Sequence, residues 1–259
     1  MVRHRARYEG SAARYAQYRP SYPDQLIRHL AGLIAGVPAA IGTVLDIGAG
    51  TGIFSRQLRD ALPAETRLIA VEPGAATRAQ AVADTPADTG IEYVDGAAEA
   101  VPCRDAAADA VVAATAAHWF DRSAFYSEAR RVLQPGGVLA IVQYVRDEES
   151  CPLAAAVVQF TGERGSRRAY IPPDFRAELV ELAGFGGFED FTLRRPITLE
   201  IEQFVGLALS SSHAAGVIER FGADGARAAM RDLATPHLTG DGHVRFGYRF
   251  ECLTVHRAP

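Results

Sequence analysis

From Thr43 onward, short and nearly continuous apolar runs alternate with stretches whose apolar positions recur at helical spacing. "TVLDIG" (43–48), "RLIAVE" (67–72), "IEYVDG" (91–96), "ADAVVAAT" (108–115) and "VLAIVQYV" (138–145) have the pattern of strands. Phe54, Leu58 and Leu62, at i, i+4 and i+8, define one face of a helix after the first strand. Helices are also expected over 76–84 and around 123–133, the latter stopped by "QPGG". Strands apolar on both faces, alternating with helices, predict an α/β architecture: a doubly wound, mostly parallel sheet covered on both sides. Two regions depart from the alternation. Residues 1–40 carry Tyr8, Tyr15, Tyr18 and Tyr22 ahead of a helix over 24–35, and residues 151–240 read as helical and irregular, punctuated by "IPPD" and "GFGGF". The tail "HVRFGYRFECLTVHR" (243–257) alternates apolar and polar residues as a half-buried strand does.

Composition narrows the chemistry. A chain of 259 residues can bury one large domain, or one domain plus a lid. The net charge of −4 offers no general electrostatic attraction to nucleic acid or an anionic membrane. No apolar run approaches the roughly 18 residues of a membrane span. The basic start of the chain leads into no secretory h-region, so a cytoplasmic protein is expected. Cys103, Cys151 and Cys252 are odd in number and far apart, fitting neither a disulfide framework nor a metal site. All 27 basic residues are Arg, and the chain has no Lys and no Asn. That removes the Lys of a Walker A loop and the Schiff-base Lys of pyridoxal enzymes.

The candidate chemistry centres on "VLDIGAGTGIF" (44–54), where Gly48, Gly50 and Gly52 follow Asp46 at a strand end. A glycine-rich turn there lets a ligand approach the backbone closely, beside the free N–H groups of the next helix. In open parallel sheets ligands bind beyond the carboxyl ends of the strands. Glu72 ends the second strand, 20 residues after Gly52, where a carboxylate can accept both ribose hydroxyls of an adenosine. The glycines run GxGxG rather than the GxGxxG of a dinucleotide fingerprint. Asp46 would oppose a pyrophosphate and tolerate a sulfonium or ammonium, which tips the balance toward a cationic cofactor.

"VLDIGAGTG", "AVEP", "GAAEAVP" and "AHWFD", in that order, resemble the motif series of class I S-adenosylmethionine-dependent methyltransferases, and in particular a bacterial small-molecule branch with a His-Trp-Phe-Asp signature. "YAQYRPSYP" and "DGHVRFGYR" are similar to that branch as well, so the likeness spans residues 15 to 249 and is loose over 150–240. The resemblance implies a Rossmann-like sheet of seven strands with the last one antiparallel, supplied by 243–257. It divides the chain into an N-terminal helical lid segment (1–40), a cofactor-binding core (41–150) and an acceptor-covering helical region with the final strands (151–259). It places Asp46, Gly48, Ala49, Gly50 and Gly52 along the methionine end of S-adenosylmethionine, Glu72 on the ribose, Pro73 beside the adenine, Ala97 and Ala98 against the adenine through their backbone, and Thr115 beneath the methionine moiety. Relatives often have an acidic residue where this chain has Ala97; Asp95 precedes Gly96 instead and reads as a turn residue.

Other residues admit two readings. His118, beside Trp119 and Phe120 after the fourth strand, is either the general base for methyl transfer or a structural histidine. Tyr15, Tyr18, Arg19 and Tyr22 either form a lid, with Arg19 pairing to the cofactor carboxylate, or are ordinary surface and packing residues. His213, His237 and "RRAY" (167–170) read as loop or surface features. The expected function is S-adenosylmethionine-dependent methylation of a small molecule in bacterial specialised metabolism. The alternative is a protein that binds the cofactor for a non-methylating reaction or for regulation. A nucleic-acid methyltransferase is opposed by the charge and the absence of Asn, and a nicotinamide oxidoreductase by the glycine spacing. Residues 1–40 and 150–240, with Phe160, Tyr170 and Phe175 among their aromatics, are expected to cover an apolar or aromatic acceptor.

Overall fold

The structure is a computed structural model that describes residues 20–38, 42–164, 173–211 and 214–259. Its framework is one seven-stranded sheet, made of β1 (Thr43–Ile47), β2 (Arg67–Val71), β3 (Ile91–Val94), β4 (Ala108–Ala114), β5 (Leu133–Arg146), β6 (Phe185–Glu200) and β7 (His243–Arg257). The strand order is β3-β2-β1-β4-β5-β7-β6. The first five strands pair in parallel, and β7 runs antiparallel to both β5 and β6. The sheet is therefore mostly parallel with a mixed end, and the order in which strands are added reverses between β1 and β4, the point where ligands bind such folds.

Each face is sealed by its own apolar cluster. On one face α1 (Asp24–Ala35) and α2 (Ile53–Ala61) bury Leu26, Leu30, Phe54 and Leu58 against Val44, Val112 and Val138. On the other, α4 (Arg122–Val132) and α6 (Phe175–Val180) set Phe125, Val132, Phe175 and Leu179 against Leu45, Val111, Leu139 and Leu253. The short α3 (Ala75–Ala83) joins β2 to β3. Three more helices join the first face: α5 (Pro152–Arg164) after β5, and α7 (Ile201–Leu209) and α8 (Ala215–Ala234) between β6 and β7. Their Leu153, Val157, Phe204, Val217 and Met230 belong to the same cluster as α1 and α2.

The expected elements of residues 24–145 are present within a residue or two, apart from β5, which starts at Leu133 inside "LQPGG". Two expectations need correction. Residues 151–240 are not only helical: "FGGFEDFTLRRPITLE" forms β6, a 16-residue edge strand. The tail is half-buried only in its first part, where Val244 and Phe246 are buried and Arg245 is exposed. β7 lies between β5 and β6, and from Phe250 to Val255 both of its faces are covered. The three cysteines form no disulfide, and no helix of the described residues is long and apolar enough to cross a membrane.

Candidate functional site

The site grows out of the turn between β1 and α2. Gly48 and Ala49 both donate their backbone N–H to the carbonyl of Val71, at 2.8 and 3.1 Å, which docks the loop on the end of β2. Gly48, Gly50 and Gly52 have φ of 72°, 58° and 75°, the left-handed region that only glycine enters at little cost. At Gly48 a Cβ would also lie 2.8 Å from the Ala116 methyl and 3.0 Å from Phe120 Cζ. At Gly52 it would run into the Tyr93 hydroxyl. These two glycines let the loop lie flat on its own protein, with the N–H groups of Gly48, Ala49, Gly50 and Gly52 all bonded within the chain.

Glu72 braces this loop. Gly50 N–H donates to its Oε2 at 3.0 Å and Gly74 N–H to its Oε1 at 2.7 Å. Burial raises its pKa, and the two N–H donors and Arg78 oppose that rise. Each carboxylate oxygen accepts one backbone N–H and keeps a second acceptor site, the capacity a pair of ribose hydroxyls needs. Pro73 and Gly74 follow directly and are partly buried. Arg78 donates to the Glu72 carbonyl at 2.6 Å and to the exposed carboxylate of Asp95 at 3.0 Å, so Asp95 is a salt-bridged turn residue. Ala98 is buried and Ala97 half-buried, in a tight turn where Ala97 bridges Ala100.

Asp46 lies beneath the loop rather than open to it. It is fully buried, its Oδ2 accepts the Ser55 hydroxyl at 2.5 Å, and its Oδ1 has no hydrogen-bond partner. Desolvation pushes its pKa up to about 7, against the lowering effect of Ser55 and with a smaller contribution from the nearby charge of Glu72. A buried carboxyl with an orphaned oxygen is the place where an arriving cation or donor gains most. An orphaned acid at one end, a braced carboxylate at the other and a glycine loop between them fit an adenosyl cofactor bearing an ammonium and a sulfonium.

The far side of the site is the end of β4. Thr115 has φ of 50°, rare for a β-branched residue, and its hydroxyl lies 2.6 Å from the Tyr22 hydroxyl. A short turn, Ala117–Trp119, then carries His118, half-buried, with its ring 4.9 Å from that of Trp119. The two residues that follow have local tasks. Phe120 packs on Phe125 and closes against Gly48, while Asp121 caps α4 by accepting the Ala124 N–H at 3.2 Å.

The structure thus brings Asp46, Gly48, Ala49, Gly50, Gly52, Glu72, Pro73 and Thr115 around one loop. Tyr15, Arg19, Tyr8, Tyr18, Tyr170, His213 and "RRAY" lie outside the described residues. Tyr22 was expected only as one of several lid aromatics. Here it is a buried contact of Thr115, and a partner 93 positions away leaves no local signal in the sequence. A second, shallow cleft of about 580 Å³, lined by Arg176, Asp190, Thr192, Arg194 and Arg249, opens on the other face at the β6 edge. Its arginines are all paired, with Asp190, Asp147, Glu149 and the fully buried Glu251, so it is an ion network of three arginines and four carboxylates. No His/Cys/Asp/Glu group suited to a metal occurs among the described residues.

The methyltransferase-domain family model matches residues 45–141, from β1 into β5. An uncharacterised methyltransferase of Mycobacterium tuberculosis is 38% identical over 134 residues, covering 52% of this chain and 50% of that protein. The chain spans about half the length of the curated relatives it matches. A candidate type II methyltransferase of Anaeromyxobacter dehalogenans shares the fold with a TM-score of 0.67 and 26% identity, over 93% of this chain and 99% of that one. An N-methyltransferase of Haemonchus contortus, solved with S-adenosylhomocysteine, superposes with a TM-score of 0.57 at 17% identity, over 98% of this chain and 58% of that one. The matched model, the relatives and the fold agree on a methyltransferase-type domain over residues 45–141, built on a Rossmann-like sheet.

Proposed function

We propose that the chain transfers a methyl group from S-adenosylmethionine to a small-molecule acceptor of bacterial specialised metabolism. The observation that carries the cofactor is the arrangement of Glu72, the glycine loop and the buried, orphaned Asp46 around one strand end. Glu72 would hold the ribose, Pro73, Ala97 and Ala98 the adenine, and Asp46, Gly48, Ala49, Gly50, Gly52 and Thr115 the amino-acid half. Tyr15 and Arg19 would close over it. S-adenosylmethionine supplies an electrophilic methyl group when bound. The protein then has to align an acceptor and exclude water.

A small acceptor is supported by the half-buried Tyr144 of β5 and the aromatic rings around it, Tyr22 and, on β7, Tyr248 and Phe250. An aromatic wall suits an apolar or aromatic molecule. The net charge of −4 argues against nucleic acid. The helices of residues 151–240 and the segment 1–40 would form the acceptor's cover, the part a shared cofactor core varies to change substrate. His118, in the turn after β4, would accept a proton from an acceptor that loses one during transfer.

Calorimetry tests the cofactor first. S-adenosylmethionine and S-adenosylhomocysteine should bind far more tightly than NAD, and Glu72→Ala should weaken that binding about tenfold or more, the cost of losing a charge-assisted acceptor. Incubation with methyl-labelled cofactor and extracts of candidate pathways should then label a small molecule. NAD binding without adenosyl-cofactor binding would sink the proposal. Tight cofactor binding with no acceptor labelled in any extract would favour the non-methylating alternative.

A further inference from the structure

We infer that Tyr22 is a positioning residue of the cofactor pocket, holding the end of β4 in register with the glycine-loop helix. The inference rests on the cofactor reading above and adds a residue to it. Tyr22 is fixed at three points. Its backbone N–H donates to Gln57 Oε1 at 3.0 Å and its carbonyl accepts from Gln57 Nε2 at 2.9 Å, a two-bond clamp onto α2. Its hydroxyl meets Thr115 Oγ1 at 2.6 Å. Its ring packs among Phe54, Tyr144 and Phe250, at centroid distances of 5.1, 5.7 and 6.4 Å.

Apolar packing alone does not account for this residue. Tyr22 is 6% exposed among aromatic neighbours, where Phe would fill the same space without a hydroxyl to satisfy. The hydroxyl is spent on Thr115, which needs holding: its φ of 50° is disfavoured for a β-branched side chain. The bonds at Thr115 are its N–H to the Val142 carbonyl, at 2.7 Å, and this hydroxyl pair. Strained backbone held by a buried polar contact at a strand end marks a place where geometry is being set.

The sheet order shows what is set. β2, β1 and β4 are consecutive neighbours. A ligand whose ribose sits on Glu72 at the end of β2 and crosses the glycine loop of β1 brings its remaining half to the end of β4. For an adenosyl cofactor, that half is the amino acid. Tyr22 therefore acts on the amino-acid half through Thr115, and leaves the nucleoside half to Glu72.

Two probes separate these halves: S-adenosylhomocysteine, which has the amino acid, and 5′-methylthioadenosine, which lacks it. In the full chain, Tyr22→Phe should weaken S-adenosylhomocysteine about three- to tenfold by calorimetry, the range for one buried hydrogen bond. It should leave 5′-methylthioadenosine within about twofold of the parent, which also reports that the variant is folded. Thr115→Ala should lose a similar amount, and the double variant no more than either single one. Thr115→Ser, which restores a hydroxyl, should recover most of the loss. Unchanged S-adenosylhomocysteine affinity in Tyr22→Phe, equal losses for both probes, or additive losses in the double variant would each overturn the assignment. If the parent bound neither probe, the cofactor reading itself would fall, an outcome distinct from all of these.

Discussion

At the scale of single residues, Asp46 holds the sharpest tension in the molecule. A carboxyl with no solvent exposure, one hydroxyl donor and one orphaned oxygen favours the neutral acid, and its pKa accordingly rises from 3.8 to about 7. The unfolded chain gives up this proton near pH 4, whereas the folded chain keeps it until about pH 7. The stability Asp46 contributes is therefore fully present below about pH 4 and lost as pH rises to about 7. Asp46→Asn removes the titration while preserving shape and the acceptor for Ser55. Urea denaturation at about pH 5 and about pH 8 should show the variant gaining on the parent by roughly 2–3 kcal/mol across that interval, as an upper estimate. Parallel stability profiles for the two proteins would show that Asp46 does not change charge there. On the function proposed above, the parent accepts this loss because the charge of an ionised Asp46, acting from beneath the loop, would favour the cationic half of the cofactor, so the variant should be the more stable and the weaker binder.

At the scale of elements, the "AHWFD" segment divides its labour. Phe120 supports the glycine loop through its contact with Gly48, and Asp121 starts α4. Asp121→Ala should thus cost about 1 kcal/mol in urea denaturation, the usual value of an N-cap, and leave S-adenosylhomocysteine affinity unchanged. A loss of affinity at constant stability would place Asp121 in the pocket instead. The strands and helices of residues 43–132 were legible because buried parallel strands and amphipathic helices impose their periods directly on the sequence, as Phe54 and Leu58 do. β6 was not legible. It lies at the sheet edge, with charged Glu189, Asp190, Arg194 and Arg195 exposed, an irregular register between Gly186 and Glu189, and Pro196 where a central strand would lose a ladder bond. The burial of β7 from Phe250 to Val255 could not be read either, because it depends on neighbours on both sides rather than on its own alternation. In the site, the sequence placed Glu72 at a strand end near the loop, but its two N–H braces and the Tyr22–Thr115 pair exist only through tertiary structure.

At the scale of the whole molecule, the helices outside the sheet core do not form a separate body with a core of their own. Phe204 of α7, Val217 and Met230 of α8, and Leu153 and Val157 of α5 share one continuous apolar cluster with α1, α2 and the sheet strands β1, β4, β5 and β7. Phe204 also meets Phe246 of β7 edge to face, at 5.3 Å. Elements that bury the same core cannot expose it independently at low cost, so they should unfold together. Thermal unfolding should give one transition with calorimetric and van't Hoff enthalpies in agreement, whereas an early separate transition would show that the helices of residues 151–234 have their own stability. Ligand linkage then ties this cooperativity to the site. A compound that binds only the folded chain stabilises all of it, by about 2.7 kcal/mol at a hundred times its dissociation constant. For a chain of this size that raises Tm by about 5–10 °C. S-adenosylhomocysteine should move the whole transition by that amount and keep it single. If only part of the transition moved, the glycine-loop site and the helices on the same sheet face would be energetically separate, and a cover built from those helices could not feel the cofactor beneath it.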